Sequence, residues 1–186
     1  MCKKLIAVCL MLSIVFCLPS ALSVDFSYRN GVKFGMTMNE VKRLEKNKPS
    51  SEGYTNYDPR KSLVYNKEIV VTYPCTIEYY FQNSALEEIV VYVHGARFTE
   101  MHQFYALKEV YEDIDRALIN KYGTPDKEGA DTFDMTTLLL TVWRSKAGER
   151  DFSIVHMVAS EFGNTVHAIY YTYNPSPNNF TPGGGV

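Results

Sequence analysis

The chain has 186 residues, of which 46% are hydrophobic, which is enough to build one domain around its own core. Its 19 Lys and Arg against 21 Asp and Glu give a formal charge of −2 at pH 7, and the basic residues form no run or stripe. Nucleic acid is therefore not an expected partner, because nucleic-acid-binding domains concentrate positive charge on one surface.

The first 23 residues have the pattern of a secretory signal peptide. Two lysines precede the almost wholly apolar stretch 5–18, which is shorter than the ~20 residues that span a bilayer. We expect cleavage after Ser23, with a lipid anchor on Cys17 as the alternative. The protein is then exported, periplasmic or secreted, without a stable membrane span. Only Cys75 remains after cleavage, so the domain forms no internal disulfide.

The first half of the exported chain reads as one short helix followed by three strands. Thr37 and Glu40 have the spacing of a capping box, and Pro49 ends the helix. Residues 50–62 are polar and predict a loop. Alternating β-branched and aromatic residues then predict strands over 63–73, 76–82 and 86–94.

The dipeptide Asn83-Ser84 predicts a tight hairpin turn between the second and third of these strands. Centring the turn there pairs Phe81 with Leu86 and Tyr79 with Glu88. One face of the hairpin is then mostly apolar, as expected for a half-buried antiparallel pair.

The second half repeats this order with a longer helix. Thr99 is its expected N-cap, and Gly123 with Pro125 ends it. Strands are predicted over 135–144, 152–160 and 165–173. The apolar residues of the helix recur at steps of three and four and predict one core-facing stripe: Phe104, Leu107, Tyr111, Ile114, Leu118 and Tyr122.

These elements predict an α+β fold. The expected architecture is an antiparallel sheet of about six strands with two helices on one face, in the order α-βββ-α-βββ. Residues 1–23 are the signal peptide, and residues 24–173 form one domain. That domain has a possible internal duplication into halves 24–97 and 98–173. The tail 174–186 is rich in Pro, Asn and Gly and is predicted to be disordered.

Two histidines are the strongest candidates for chemistry. A hairpin centred on Phe162-Gly163 places His167 opposite Val158 and His156 diagonally on the same face. A zinc site needs three or four ligands, and no further ligand is predicted beside this pair. Two histidines on a partly solvated strand face are therefore the simpler interpretation. We predict no metal and no cofactor.

Other candidate catalytic groups have equally simple structural explanations. Cys75 follows a proline at the start of an apolar strand, where an inert, half-buried thiol is expected. Glu87 and Glu88 are neighbours in a strand and point to opposite faces. Asp113 and Asp115 diverge on the long helix, and a solvated face is expected for them. No catalytic residue is predicted.

Tyrosine is unusually frequent, with 14 residues. Consecutive tyrosines in a strand face both ways, so some rings should lie on the side of the sheet that the helices leave uncovered. Such rings are good contact residues, although tyrosine is also common in strands for packing reasons. Tyr80 and Tyr170 are the predicted binding residues of that face.

The segment FGMTMNEVKRLEKNKP resembles the start of small exported bacterial domains of the outer-membrane-assembly lipoprotein and β-lactamase-inhibitor-like types. The matching residues are Phe34, Gly35, Met36, Thr37, Glu40 and Val41. The resemblance implies a capped short helix before an antiparallel sheet, and a function in binding other proteins. From the density of tyrosines and the absence of a catalytic motif in the sequence, we expect a non-enzymatic interaction domain for a protein partner at the cell envelope or outside the cell. The alternatives are a small-ligand or glycan binder, and a hydrolase or metal-dependent enzyme using Cys75 or the histidines.

Overall fold

The computed structural model describes residues 26–54, 58–94, 101–133, 136–146, 150–161 and 164–174. After a 3-10 turn at Arg29–Gly31, these ranges contain two helices, α1 (Met38–Leu44) and α2 (Met101–Tyr122). They also contain eight strands: β1 (Ser51–Tyr54), β2 (Lys61–Val70), β3 (Tyr73–Gln82), β4 (Ala85–Val93), β5 (Lys127–Phe133), β6 (Thr136–Trp143), β7 (Phe152–Glu161) and β8 (Asn164–Tyr173).

The eight strands form one antiparallel sheet in the order β1-β2-β3-β4-β8-β7-β6-β5. The prediction of about six strands in the order α-βββ-α-βββ was therefore wrong, because each half has four strands. The two missed strands, β1 and β5, are the edges of the sheet. Their sequences SEGY and KEGADTF are polar and contain glycine, which hides an edge strand from a hydrophobicity pattern.

The prediction of two helices on one face was also wrong, because of the two described helices only α2 packs along the sheet with a row of buried residues. Helix α1 has seven residues and buries one of them fully, Val41. Helix α2 packs a row of its residues along one side of the sheet. We call this side of the sheet, with the strand residues beneath the helix, the covered face. Its buried members are Leu107, Tyr111, Ile114, Leu118 and Tyr122. The side chain of Phe104 lies outside the described residues.

Local sequence signals fix the start of α1 and the end of α2. Thr37 accepts from the backbone N–H of Glu40 while the Glu40 carboxylate accepts from Thr37, so the predicted capping box is present. Gly123 closes α2 with a positive φ of 82°, and its N–H donates to the carbonyl of Ile119. The predicted N-cap Thr99 lies outside the described residues.

The hairpin between β3 and β4 turns at Asn83 and Ser84, which both have positive φ values, 51° and 67°. Phe81 pairs with Leu86 as predicted, but Tyr79 pairs with Ile89 instead of Glu88. A bulge between Tyr80 and Phe81 shifts the ladder by one residue, so Glu88 pairs with Tyr80 and lies on the opposite side of the sheet from Tyr79. Sequence alternation alone does not indicate such a bulge.

The two halves of the sheet are arranged symmetrically. Each is a helix followed by four sequential strands, and the last strands, β4 and β8, pair antiparallel at the centre. The middle of their ladder is the pair Val90 and Tyr170. This is the arrangement that two copies related by a twofold axis through that pair would have. The duplication itself stays a prediction.

Among the helices of the described chain, none is both long and apolar enough to cross a membrane. The predicted signal peptide, residues 1–23, lies outside the described residues. So does the predicted tail, apart from Asn174, whose N–H donates to the carbonyl of Asp151.

Candidate functional site

The side of the sheet opposite α2 is apolar as well, and we call it the open face. Cross-strand pairing places Val90, Tyr170, Val155 and Val142 in one row across β4, β8, β7 and β6. The next row along these strands consists of Tyr92, Ala168, Met157 and Leu140. No helix of the described chain lies on this face, and the side chains that pack there come from the sheet itself.

Both predicted binding tyrosines point to the open face, but they differ in exposure. Tyr80 is only 8% exposed, because the Arg60 guanidinium lies 4.7 Å from the centre of its ring and its hydroxyl bonds to Glu78. Tyr170 is half-buried beside Tyr92, where the two rings cover Val90 and Ala168. The accessible tyrosine surface is therefore centred on Tyr92 and Tyr170, with Tyr80 at its margin.

The margin of the open face at β3 and β4 is acidic. Arg60 pairs with Glu88 at 2.7 Å and with Asp58 at 2.6 Å, so its charge is already matched. Glu78 accepts only the hydroxyl of Tyr80 in the bonds described. Burial, and after it the charges of Glu88 and Glu78, raise the pKa of Tyr170. The potential at this margin is thus negative.

On the covered face, the structure brings His156 and His167 together. His167 pairs with Val158 as predicted, and the Nε2 atoms of the two histidines are 3.0 Å apart. Asp115 of α2 contacts Nδ1 of His156 at 3.0 Å, and Tyr111 stacks on the same ring at 4.2 Å. Both imidazoles are buried, with 0% and 5% exposed, so the expected solvated face is not found.

Hydrogen-bond chemistry fixes the tautomers of this cluster. A carboxylate can only accept, so Nδ1–H of His156 donates to Asp115. Nε2 of His156 is then bare and accepts from Nε2–H of His167. Burial lowers the pKa of both histidines, that of His167 to about 3, while Asp115 opposes the effect at His156. The pair is therefore neutral at pH 7.

The geometry of the pair is that of a hydrogen bond. The ring centres are 5.2 Å apart and the Nε2 atoms 3.0 Å, so the two nitrogens point at each other along the line between the rings. Tetrahedral chelation needs both lone pairs to converge on a point beside that line. Within the described residues, no group of three or more His, Cys, Asp or Glu is placed to hold a metal ion.

Cys75 lies apart from the histidine pair. It is fully buried, and burial raises the pKa of its thiol to about 11. No hydrogen bond in the described structure joins it to a histidine. A thiol in this setting is protonated at neutral pH, which is its unreactive form.

A third polar cluster joins the 3-10 turn, the end of α1 and strands β2 and β3. Arg29 binds the Glu45 carboxylate with two nitrogens, at 2.6 and 3.1 Å, and Glu68 at 2.8 Å. The hydroxyl of Tyr79 donates to Glu45, and Asn47 donates to Glu68 at 2.8 Å. Every charge in this cluster has a partner, which is typical of a structural clamp.

Sequence reasoning missed Asp115 because we expected it on the solvated face of α2. Its spacing does carry a signal, since it lies four residues after Tyr111 and three before Leu118. The sequence also provided no indication of the cluster of Arg29, Glu45 and Glu68, because these residues come together from distant parts of the chain.

No protein-family model, curated protein or solved structure matches this chain.

Proposed function

We propose that this protein is an exported, non-enzymatic domain that binds a partner protein on the open face of its sheet. The observation that carries the proposal is the continuous apolar surface around Tyr92 and Tyr170, on which no helix of the described chain lies. Burying such a surface is favourable, and tyrosine supplies contact area at a low entropic cost.

The charges at the margin define the chemistry of the partner. Glu78 and Glu88 contribute carboxylates beside the tyrosines, and the nearby cation Arg60 is already paired. A complementary surface has aliphatic or aromatic side chains at its centre and Lys or Arg at its edge. An arginine at that edge can stack on a tyrosine ring while it pairs with Glu78.

Export supports the same function. The basic, apolar and small-residue pattern of residues 1–23 is that of a signal peptide, so the partner is expected at the cell envelope or outside the cell. The resemblance of residues 34–49 to exported protein-binding domains is consistent with this location. The enzymatic alternatives have less support, because Cys75 and the two histidines are buried and no hydrogen bond in the described structure joins Cys75 to either histidine.

The test is an affinity capture from the native cell envelope with matched baits. The baits are the mature wild-type chain, the double variant Tyr92→Ala/Tyr170→Ala, and Val166→Lys, which adds a positive charge to an open-face residue that is 45% exposed. Tyr54→Ala is the control, because Tyr54 is 69% exposed and lies on the other side of the sheet.

The proposal requires one protein that wild type and Tyr54→Ala retain and both open-face variants lose. With that protein purified, each tyrosine truncation should weaken binding by about tenfold or more, and added salt should weaken it further. Folding of every bait is checked by circular dichroism. Retention by the open-face variants at wild-type strength, or no specific capture by wild type, refutes the proposal.

A further inference from the structure

A second surface lies at the edge of the N-terminal half. It is a groove of about 750 Å³ between the start of α1, the turn that joins β3 to β4, and the edge strand β1. This volume is within the range of small-molecule sites. The described residues that line it are Thr37, Met38, Asn39, Tyr54, Pro59, Arg60, Lys61, Phe81, Gln82, Asn83 and Ser84.

The floor of the groove is a row of side chains across three strands. Tyr54 pairs with Lys61, and Lys61 pairs with Phe81. Phe81 is buried, whereas the ring of Tyr54 is 69% exposed and has Lys61 Nζ 5.7 Å from its centre. An exposed aromatic ring beside a groove offers a flat apolar platform to whatever binds there.

The rim is polar and uncharged. Asn39, Gln82, Asn83 and Ser84 are all exposed, and none of their side chains bonds to another described residue. Each amide offers donors and an acceptor at once, which is the pattern that recognises a ligand's hydroxyl groups.

The charge of the groove is positive. None of the described lining residues is acidic. Arg60 is held by Asp58 and Glu88, whereas the ammonium of Lys61 lies over the Tyr54 ring and has no ion pair with a described residue. A lysine in this position attracts an anionic group of the ligand as a point charge.

We propose that this groove binds a short acidic oligosaccharide. A sugar ring has an apolar C–H face that packs on Tyr54 and hydroxyl groups that bond to Asn39, Gln82 and Asn83. A carboxylate on the sugar pairs with Lys61 at the floor. An acidic peptide satisfies Lys61 but lacks the hydroxyl groups for the amides, so the saccharide fits more of the observed groups. The site is separate from the open face and does not depend on the function proposed above.

The test is a titration of the isotope-labelled mature chain, followed by NMR. The probes are trimers of galacturonate, mannuronate and sialate, each compared with its neutral methyl ester, and a triaspartate peptide. We expect at least one acidic trimer to shift the signals of Tyr54, Asn39 and Asn83. Lys61→Gln should weaken that trimer by about tenfold and leave the ester unaffected, because it removes a charge-assisted bond.

Two further variants separate this site from the open face. Tyr54→Ala should weaken the trimer by about tenfold or more, whereas Tyr92→Ala/Tyr170→Ala should leave its affinity unchanged. Three results overturn the proposal: no trimer shifts the groove signals, the esters bind as tightly as the acids, or triaspartate binds as tightly as the best trimer. Each of these can occur whether or not the open face binds a protein.

Discussion

The two halves of the sheet place a polar side chain at equivalent positions, and each of these side chains bonds to a carboxylate. The two carboxylates have different further partners. Val90 pairs with Glu78, and Tyr170, at the other side of the central ladder, pairs with Val155. The next residues along those strands, Tyr79 and His156, are therefore counterparts. Both lie on the covered face, and each bonds to a carboxylate.

The difference lies in what surrounds each carboxylate. In the N-terminal half, Glu45 is held by Arg29, whose charge is permanent. In the C-terminal half, Asp115 is held by a neutral imidazole that is bonded to a second one. One half thus has an ion-pair clamp that is unchanged around neutral pH. The other has a hydrogen-bonded pair that is neutral when folded, so its contribution to stability falls in mild acid, where the unfolded histidines bind protons.

The largest effect is expected from breaking the clamp with Arg29→Met. The side chains of Glu45 and Glu68 are 1% and 10% exposed, and the substitution leaves both without their cation. We expect the free energy of unfolding to fall by about 3–5 kcal/mol, as for other buried pairs that lose one partner. Urea denaturation followed by circular dichroism measures it.

The matched control for that variant is Arg116→Met. Arg116 also pairs with an acid, Asp113, but its side chain is 70% exposed, so the expected loss is at most about 0.5 kcal/mol. Equal losses in the two variants would mean that the Arg29 cluster is no more than a surface ion pair.

The second effect belongs to the histidine pair and appears as pH dependence. The folded pKa values of His156 and His167 lie below the ordinary 6.5, so below pH 6.5 the unfolded chain binds more protons. The stability that the neutral pair contributes is complete above pH 6.5 and is lost as the pH falls towards about 3. Between pH 7 and pH 4.5 we expect a loss of about 2–3 kcal/mol for one such histidine.

The clamp responds in a lower pH window, which lets the two halves be told apart. Burial raises the pKa of Glu68, but hydrogen bonds from Arg29 and Asn47 outweigh it and hold the pKa below 4.5. Its contribution is therefore present above pH 4.5 and is lost below it. His167→Gln keeps a donor for His156 without titrating, so it should make the profile shallower between pH 6.5 and 4.5 and leave the part that belongs to His156. An unchanged profile in this variant would contradict the assignment.

The alternation of the last two strands was enough to predict that His156 and His167 share a face. It could not show that the pair is buried, because this depends on where α2 crosses the sheet. Asp115 was misplaced for the same reason, since the angle of a helix to its sheet follows from packing along its whole length. The capping box at Thr37 was predictable because it needs only residues close in sequence.

The edge strands were not predicted for a different reason. β1 and β5 are held by backbone bonds to one neighbour each, so their side chains need not alternate between apolar and polar. The Arg29 cluster joins residues from the 3-10 turn to β3 and leaves no local pattern at all. Interactions of this kind are fixed by the tertiary fold.

The smallest effect tests whether the C-terminal half depends on neutral hydrogen bonds. Tyr111 Oη bonds to Thr141 Oγ1 at 2.6 Å, and Thr141 is 1% exposed. Tyr111→Phe leaves that hydroxyl without its partner, so we expect a loss of about 1 kcal/mol in the free energy of unfolding. Phenylalanine still stacks on His156, so the pH profile should keep its shape.

Tyr122→Phe is the matched control, on the same helix and equally buried. The hydroxyl of Tyr122 is buried and has no hydrogen-bond partner among the described residues, so its removal should cost nothing and can be stabilising. A cost for Tyr111→Phe no larger than that for Tyr122→Phe would show that the bond to Thr141 contributes nothing. The stability of this half would then come from the stacking of Tyr111 on His156 and from the apolar row of α2, without help from the neutral hydroxyl bond.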